Sequence, residues 1–213
     1  MPSEPTVYVI DDDQGVRHSL SFLLETSDFN VRAFDSAVSF LSELSEIGPG
    51  CVITDIRMPG MTGLELLQHL KDSQPGIPVI VITGHGDVPL AVEAMKGGAL
   101  DFLEKPFDED QLLRAVRSAL EQSDAERQRD EERREVEGRM QSLTSREWQV
   151  LKGLVAGHAN KRIAFDLEIS PRTVEIYRAN VMTKMNASSL SDLVRMSLLA
   201  DLPINDAGEF RQP

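Results

Sequence analysis

Several features are scarce in this chain of 213 residues, and each scarcity excludes a class of protein. There is one cysteine, Cys51, so no disulfide can form within the chain, and its place in an apolar run favours a small buried side chain over a reactive thiol. No apolar run approaches the roughly 20 residues that span a bilayer. The N-terminal Met-Pro-Ser-Glu-Pro also lacks the basic start of a signal peptide. We therefore expect a cytoplasmic protein with no membrane partner.

Patterns typical of metabolic enzymes are also missing. The four histidines, His18, His69, His85 and His158, show no metal-ligand spacing, and no Gly-rich nucleotide-binding loop is present. No Ser/His/Asp or Cys/His set is recognisable. His85, between two glycines, is interpreted as a loop residue at the mouth of a pocket. An independent metabolic enzyme is therefore not expected.

The net charge of −13 is unevenly distributed. Residues 1–120 contain 19 acidic and 8 basic side chains, whereas residues 142–200 contain 5 acidic and 8 basic ones, which gives a net charge of +3. Only the C-terminal part therefore suits a polyanionic partner such as nucleic acid. Because +3 is a weak basic patch, charge alone does not establish that partner.

Hydrophobic patterning divides the chain into two regions. In the first, placed at residues 1–120, short apolar runs alternate with helical periodicity, which predicts a doubly wound, flavodoxin-like α/β domain with a five-stranded parallel sheet. Residues 142–202 show only helical patterns and predict an all-α domain, followed by a flexible tail at 203–213. The stretch 121–141 has 8 acids, 5 bases and almost no apolar residues, which favours a charged helical linker. A dimeric coiled coil is the alternative, although its apolar seam is missing.

Polar residues stand at the ends of the apolar runs of the first region. They are Asp11, Asp12, Asp55, Thr83 and Lys105. In open parallel sheets ligands bind outside the carboxyl ends of the strands, so these side chains are expected to meet in one crevice. Crowded carboxylates repel one another, and a hard cation with oxygen ligands relieves the repulsion. The pattern predicts a Mg²⁺ site that handles a phosphoryl group.

The segments that carry these residues resemble the receiver domain of two-component response regulators, over about 120 residues. They are Val9-Ile10-Asp11-Asp12-Asp13, Thr54-Asp55-Ile56-Arg57-Met58-Pro59-Gly60, Ile82-Thr83-Gly84 and Glu104-Lys105-Pro106-Phe107. The resemblance implies that Asp55 accepts a phosphoryl group from a partner sensor histidine kinase. It also implies that Asp12 and Asp55 bind Mg²⁺ directly, Asp11 through water and Arg57 through its backbone carbonyl. Lys105, aimed inward by a cis peptide bond before Pro106, would share the neutralisation of phosphoryl charge.

The same resemblance implies a switch and a dimer. The Thr83 hydroxyl would move towards the phosphoryl group, and the Phe102 ring would turn into the vacated space. An ordinary core aromatic is the alternative for Phe102. Phosphorylation is expected to promote dimers through the helix 88–97 and the strand 100–103. Because the strand is expected to end at Ile10, Asp13 is predicted to be either the cap of the next helix or a surface carboxylate.

The C-terminal region carries the signals of a helix-turn-helix. Thr144 and Glu147 predict a capping box, and Ser170 with Pro171 predicts the start of a longer helix that ends at Met185. At about 100° per residue, the core side of that helix carries Val174, Val181, Met182 and Met185, and the opposite face carries Arg172, Glu175, Ile176, Ala179, Asn180 and Thr183. This face is predicted to enter a DNA major groove. The flanking candidates are Thr173 and Arg178, with Lys161, Arg162 and Lys184 for phosphates.

A second resemblance covers this region. Leu143-Thr144-Ser145-Arg146-Glu147, Asn160-Lys161-Arg162-Ile163-Ala164 and Ser170-Pro171-Arg172-Thr173-Val174-Glu175 are similar to the LuxR-type helix-turn-helix. Together with Ile82-Thr83-Gly84-His85-Gly86-Asp87-Val88-Pro89, they resemble the FixJ type of regulator within the NarL class. The pairing implies a phosphorylation-activated transcriptional regulator rather than an enzyme, apart from its own Mg²⁺-dependent phosphorylation and dephosphorylation. Its implied partners are promoter DNA, a second copy of the chain and, as a further candidate, RNA polymerase.

Two other functions stay open. A receiver that acts only by protein contact, such as a phosphate sink, draws support from Glu175, because DNA repels a carboxylate that does not meet a cytosine amino group. A Mg²⁺-dependent phosphatase of similar sheet topology is the other, and it requires turnover of external phosphoesters. A DNA-binding measurement distinguishes the protein-contact receiver from a transcriptional regulator. A multiple-turnover assay with external phosphoesters distinguishes the phosphatase from a regulator.

Overall fold

The computed structural model describes residues 4–73, 76–84 and 88–202 of the chain. The strands are β1 Thr6–Ile10, β2 Asn30–Phe34, β3 Gly50–Asp55, β4 Val79–Thr83 and β5 Asp101–Glu104. The helices are α1 Gln14–Thr26, α2 Ala37–Ser42, α3 Gly63–Ser73, α4 Val88–Gly97, α5 Glu109–Gln141, α6 Ser145–Val155, α7 Asn160–Asp166, α8 Pro171–Met185 and α9 Leu190–Leu199, with a 3-10 turn at Leu44–Glu46. None of these helices combines the length and hydropathy needed to cross a bilayer.

The chain forms two compact units, residues 1–128 and 129–213, and the boundary lies within α5. The first unit contains the predicted five-stranded parallel sheet, with strand order β2-β1-β3-β4-β5. This order reverses direction between β1 and β3, and ligand sites of doubly wound sheets lie at such a point. The sheet therefore confirms the predicted fold class and places the ends of β1 and β3 side by side.

Both faces of the sheet are buried, which explains why its central strands have continuous apolar sequences. Within β1, Tyr8 and Ile10 pack into the core on one face, while Val7 and Val9 pack into the core on the other. β2 lacks the continuous apolar sequence of the central strands. It is an edge strand whose polar residues Asn30 and Arg32 interrupt the apolar pattern, since only one of its long sides pairs with another strand.

The second unit is entirely helical in the described residues and has its own core from α6, α7, α8 and α9. Val136 and Met140, near the end of α5, are buried in this core, with 4% and 9% of their surfaces exposed. The segment 121–141 lies within α5, but its last turns belong to the folded unit and are not a fully solvated linker. Because Val136 and Met140 already pack inside the unit, they are not available for a coiled-coil seam.

Three predicted helix caps are present. Asp13 accepts from Gly15 N at 2.7 Å and from Val16 N at 3.0 Å at the start of α1. These two bonds lower the pKa of Asp13. Thr144 and Glu147 form the predicted capping box of α6, and Ser170 caps α8 through Thr173 N at 3.1 Å. Side chains that satisfy the free amides at a helix start stabilise the helix.

Candidate functional site

Asp11, Asp55 and Lys105 meet at the carboxyl end of the sheet. Lys105 Nζ lies 2.8 Å from Asp11 Oδ2 and 2.9 Å from Asp55 Oδ1. The side chains of Asp11 and Asp55 are 2% and 10% exposed, whereas the side chain of Lys105 is 24% exposed. Residues that are 44 and 50 positions apart in the sequence thus form one ionic cluster, as the strand-end pattern predicts.

Backbone groups hold both carboxylates in place. Asp11 Oδ1 accepts from Asp13 N at 2.9 Å, and Asp55 Oδ2 accepts from Arg57 N at 2.7 Å. Arg17 Nη1 donates to the backbone O of Asp11 over 2.7 Å, a supporting contact that sequence reasoning missed. In the sequence, this contact could have been inferred only from the position of Arg17 near the start of α1. Side chains on a helix lean towards its N-terminus, and for Arg17 that is the direction of the end of β1.

The ammonium of Lys105 balances the cluster. Burial would lower the pKa of Lys105, but hydrogen bonds from the lysine to Asp11 and Asp55, together with their charges, raise it above its usual value. The lysine therefore stays protonated at neutral pH. The peptide bond between Lys105 and Pro106 is cis, as the receiver resemblance implies.

The predicted cation ligands do not all converge. Asp12 is exposed, and no three His, Cys, Asp or Glu side chains come together for a metal ion in residues 4–73, 76–84 and 88–202. Of the three carboxylates expected to converge, Asp11 and Asp55 meet at Lys105, while Asp12, which follows Asp11 directly, is exposed, and its part in metal binding stays a prediction. The donor chemistry still fits Mg²⁺: Asp11 and Asp55 each accept two hydrogen bonds, and a carboxylate offers about four acceptor positions.

The two switch candidates lie on adjacent strands. Thr83 ends β4 and is 1% exposed, and its backbone O accepts from Lys105 N at 2.7 Å. Phe102 is half-buried in β5 and packs against the core cluster on the α3 and α4 side of the sheet. Both positions suit the implied switch, which stays a prediction. His85 lies outside the described residues.

Gly63 brings α3 very close to the site. A Cβ on this glycine would lie 2.1 Å from the backbone O of Asp55, and Gly63 N donates to the backbone O of Ile56 at 2.9 Å. Only glycine permits this approach, because any side chain would overlap the strand end. Gly63 is therefore a second residue that sequence reasoning missed, although its place just after the aspartate segment could have indicated it.

The predicted reading face of α8 is exposed. Arg172, Glu175, Ile176, Ala179, Asn180 and Thr183 are all exposed, whereas Val174, Val181 and Met185 are buried. The helical periodicity therefore identified the correct solvent face. Ile176 is 56% exposed, which is unusual for a large apolar side chain and suits a contact with thymine methyl groups.

Three flanking candidates are engaged within the protein. Lys184 Nζ donates to Glu147 Oε2 at 2.7 Å, so the ammonium predicted for phosphate is paired with a buried carboxylate. Arg178 Nη1 lies 3.5 Å from Asn160 Oδ1, and Thr173 Oγ1 lies 2.8 Å from Ser170 Oγ. The phosphate contact predicted for Lys184 stays a prediction, and the ammonium has a partner in α6 that the sequence did not indicate.

Lys161 and Arg162 differ in their surroundings at the start of α7. Lys161 is exposed. Arg162 forms an ion pair with Asp166 at 3.0 Å and lies over the Phe165 ring. Of the two, Lys161 is the better candidate for a phosphate contact, since Arg162 already shares its charge with Asp166.

Comparison with known families matches the two units separately. Residues 7–117 match the response regulator receiver domain, and residues 141–197 match the luxR family of bacterial regulatory proteins. The first family implies a histidine kinase as partner, and the second implies DNA binding. These matches lie in the order that the sequence motifs predicted.

Relatives extend the similarity over nearly the whole chain. The transcriptional regulatory protein FixJ of Azorhizobium caulinodans is 56% identical over 208 residues, which cover 97% of this chain and 99% of that protein. FixJ of Bradyrhizobium diazoefficiens is 50% identical over 206 residues, 97% of this chain and 100% of that protein. The structure of the response regulator StyR is 44% identical, with a TM-score of 0.79, and covers 92% of this chain and 99% of its own. This chain belongs to the FixJ-type response regulators, transcriptional regulators that combine a phosphorylation-dependent receiver domain with a LuxR-type DNA-binding domain.

Proposed function

We propose that Asp55 is the residue that accepts the phosphoryl group. The observation that carries this assignment is the ion pair of Asp55 Oδ1 with Lys105, at the end of β3 where the sheet order reverses. Asp55 is 7% exposed, in contrast to the exposed Asp12 and Asp13. A carboxylate held beside an ammonium at this edge is oriented for attack on an incoming phosphorus atom.

The reaction is an exchange of one phosphorus bond for another. A carboxylate oxygen of Asp55 attacks the phosphorus of a phosphohistidine on the kinase, the phosphorus–nitrogen bond breaks, and the histidine leaves with the bonding electron pair. Asp55 becomes an acyl phosphate. The Lys105 ammonium, 2.9 Å from Asp55 Oδ1, would neutralise charge on the transferred oxygens, and positioning with charge neutralisation accounts for most of the catalysis of such transfers.

Mg²⁺ is the cofactor that fits the acidic edge of this site. Asp11, Asp12, Asp55 and the backbone carbonyl of Arg57 would hold it, since all four supply hard oxygen donors. When bound, the ion supplies positive charge opposite the phosphoryl oxygens. Lys105 and Mg²⁺ would then both contact the carboxylates of Asp11 and Asp55. We therefore expect efficient transfer to need the lysine as well as the metal ion.

The output of phosphorylation would be a change in association and DNA binding. The Thr83 hydroxyl would turn to the phosphoryl group and Phe102 would follow, which biases the surface formed by α4 and β5 towards a second copy of the chain. Two DNA-binding units would then read two half-sites about 10 bp apart, through the exposed face of α8. RNA polymerase is a further candidate partner of the protein once it is bound to a promoter.

The test of this function is phosphorylation of Asp55→Asn and Asp13→Asn by a small phosphodonor with Mg²⁺, followed by intact-mass spectrometry. Asp55→Asn should gain no phosphoryl group. Asp13→Asn should label like the wild type, because its side chain caps α1 and asparagine caps a helix equally well. Equal labelling of Asp55→Asn and the wild type would remove Asp55 from the reaction. Repeating the wild-type experiment without Mg²⁺ tests the cofactor, and labelling that persists unchanged would refute it.

A further inference from the structure

The carboxyl end of α8 is held by side chains and carbonyls of the elements that precede it. Lys184 Nζ donates to Glu147 Oε2 over 2.7 Å and to the backbone O of Ser142 over 3.1 Å. Arg139 Nη1 lies 3.5 Å from the backbone O of Met185. The end of the helix is therefore connected to α5, to the turn between α5 and α6, and to the first turn of α6.

Glu147 is a buried carboxylate that depends on Lys184. Its side chain is 5% exposed, and its Oε2 also accepts from Thr144 N at 2.8 Å and from Thr144 Oγ1 at 3.0 Å. Burial would raise the pKa of Glu147, but the hydrogen bonds from Lys184 and Thr144 outweigh it and lower the pKa. If Lys184 turned towards a DNA phosphate, the charge of Glu147 would lose its ammonium partner inside the protein, which is strongly unfavourable.

We propose that Lys184 is a positioning residue for DNA reading and not a phosphate contact. Through Glu147 it fixes the carboxyl end of α8 on α6, so that Arg172 and Asn180, on the exposed face of the same helix, meet the bases at one angle. This inference deepens the proposed DNA binding and rests on it.

The two roles of Lys184 have different physical signatures. A phosphate contact releases counterions, so its loss weakens binding to all sequences alike and makes the salt dependence shallower. A positioning residue releases none, so its loss lowers the preference for the correct sequence and leaves the salt dependence unchanged. A purely structural ion pair changes the melting temperature, but it leaves the preference unchanged while the protein is folded.

The experiment uses the full-length phosphorylated protein and the variants Lys184→Met, Lys184→Arg and Glu147→Gln. Each is titrated against a duplex that the wild type selects from a random library and against its scrambled version, at several salt concentrations below the melting temperature of every variant. We expect Lys184→Met and Glu147→Gln to lose about tenfold in the ratio of the two affinities, comparable to the loss of one base pair, with an unchanged salt slope. Lys184→Arg should retain the ratio.

Glu147→Gln is the decisive variant because its side chain is buried and glutamine still completes a capping box. If Lys184 contacts phosphate, this variant frees the ammonium and tightens binding to both duplexes, which would overturn the proposal. A shallower salt slope in Lys184→Met, with equal losses on both duplexes, would also overturn it, as would a lower melting temperature with unchanged preference. Lys161→Met, at an exposed lysine, is the matched control that should show the phosphate signature. The preference of the wild type, measured first in the same titrations, tests the proposed DNA binding separately.

Discussion

At the scale of single residues, Lys105 is the side chain on which the acidic crevice depends. Its ammonium lies within hydrogen-bond distance of both Asp11 and Asp55, whose side chains are almost completely buried. Removal of the ammonium would leave two like charges close together away from water, without the opposite charge that offsets their burial. The Lys105 ammonium therefore offsets the repulsion between the Asp11 and Asp55 carboxylates.

We expect Lys105→Met to lower the free energy of unfolding by about 2 kcal/mol near neutral pH. Because the folded-state pKa of Lys105 lies above its usual value of 10.5, the ammonium stabilises the protein fully below that pH. The stabilisation is lost as the pH rises through the folded-state pKa, so the gap between variant and wild type should close above about pH 10.5. Urea unfolding followed by circular dichroism at pH values from about 8 upward measures the gap.

Lys71→Met is the control for this series, because Lys71 is an exposed lysine on α3. Its stability difference from the wild type should be small throughout, as is usual for surface substitutions. A constant gap for Lys105→Met across the alkaline range would show that the charge of Lys105 contributes nothing to folding.

Cys51 illustrates a residue whose chemistry the fold suppresses. It lies in β3, fully buried, and burial raises the pKa of its thiol to about 12. The thiolate is therefore absent at physiological pH, and the side chain acts as a small apolar group, as its place in an apolar run predicts.

At the scale of secondary-structure elements, the contact between α3 and β3 determines where Asp55 lies. Gly63→Ala would place a methyl group against the backbone O of Asp55 and force one element to move. We expect a loss of about 2 kcal/mol in the free energy of unfolding, together with slower phosphorylation by a small phosphodonor. Urea unfolding and the time course of labelling are the two measurements.

Gly138→Ala is the matched control, because a Cβ at Gly138 of α5 meets no atom within 4 Å. It should stabilise its unit by up to about 1 kcal/mol, since alanine favours a helix more than glycine does. Trp148, the one tryptophan of the chain, lies in the same unit and reports its unfolding by fluorescence. A Gly63→Ala protein as stable and as rapidly labelled as the wild type would contradict the close contact.

The exposed face of α8 leads to a prediction about base preference. Arg172→Ala and Asn180→Ala should each lose on the order of 1 to 3 kcal/mol of discrimination at one base position, because arginine pairs with guanine and asparagine with adenine. Binding to the selected duplex and to duplexes with single base-pair changes measures this loss. Arg146→Ala, on the exposed side of α6, removes the same charge away from the face and should keep the preference. Unchanged preference in both α8 variants would mean that another face of the helix meets DNA.

At the scale of the whole molecule, the surface of α4 is the candidate for self-association. Val88, Val92 and Met95 are 77%, 44% and 49% exposed on this helix. Val92→Asp should keep the phosphorylated protein monomeric, because a charge at the centre of an apolar contact is costly to bury. Sedimentation before and after phosphorylation measures the monomer fraction.

Val38→Asp is the control for association, since Val38 is 58% exposed on α2, away from α4 in the sequence. It should dimerise on phosphorylation like the wild type. If the wild type shows the same monomer fraction before and after complete phosphorylation, dimerisation is not the output of the receiver domain, and DNA binding must be controlled in another way.

Much of this molecule was determined by local sequence. The apolar runs and the polar residues that end them predicted the sheet and its functional edge, because strands buried on both faces need continuous apolar sequence. The caps at Asp13, Thr144 and Ser170 and the solvent face of α8 followed from side-chain chemistry and helical periodicity. These features involve neighbours within a few positions, so no knowledge of the fold was needed.

Only the tertiary structure decided which distant groups become partners. Lys184 looks like any surface lysine in the sequence, but folding places it against Glu147, 37 positions earlier. Asp12 is adjacent to Asp11, but a turn of the chain exposes it, and the ends of β1 and β3 meet only because of the strand order. The physical reason is that an ion pair or a close backbone contact depends on three-dimensional distance, which sequence spacing does not specify once the chain changes direction.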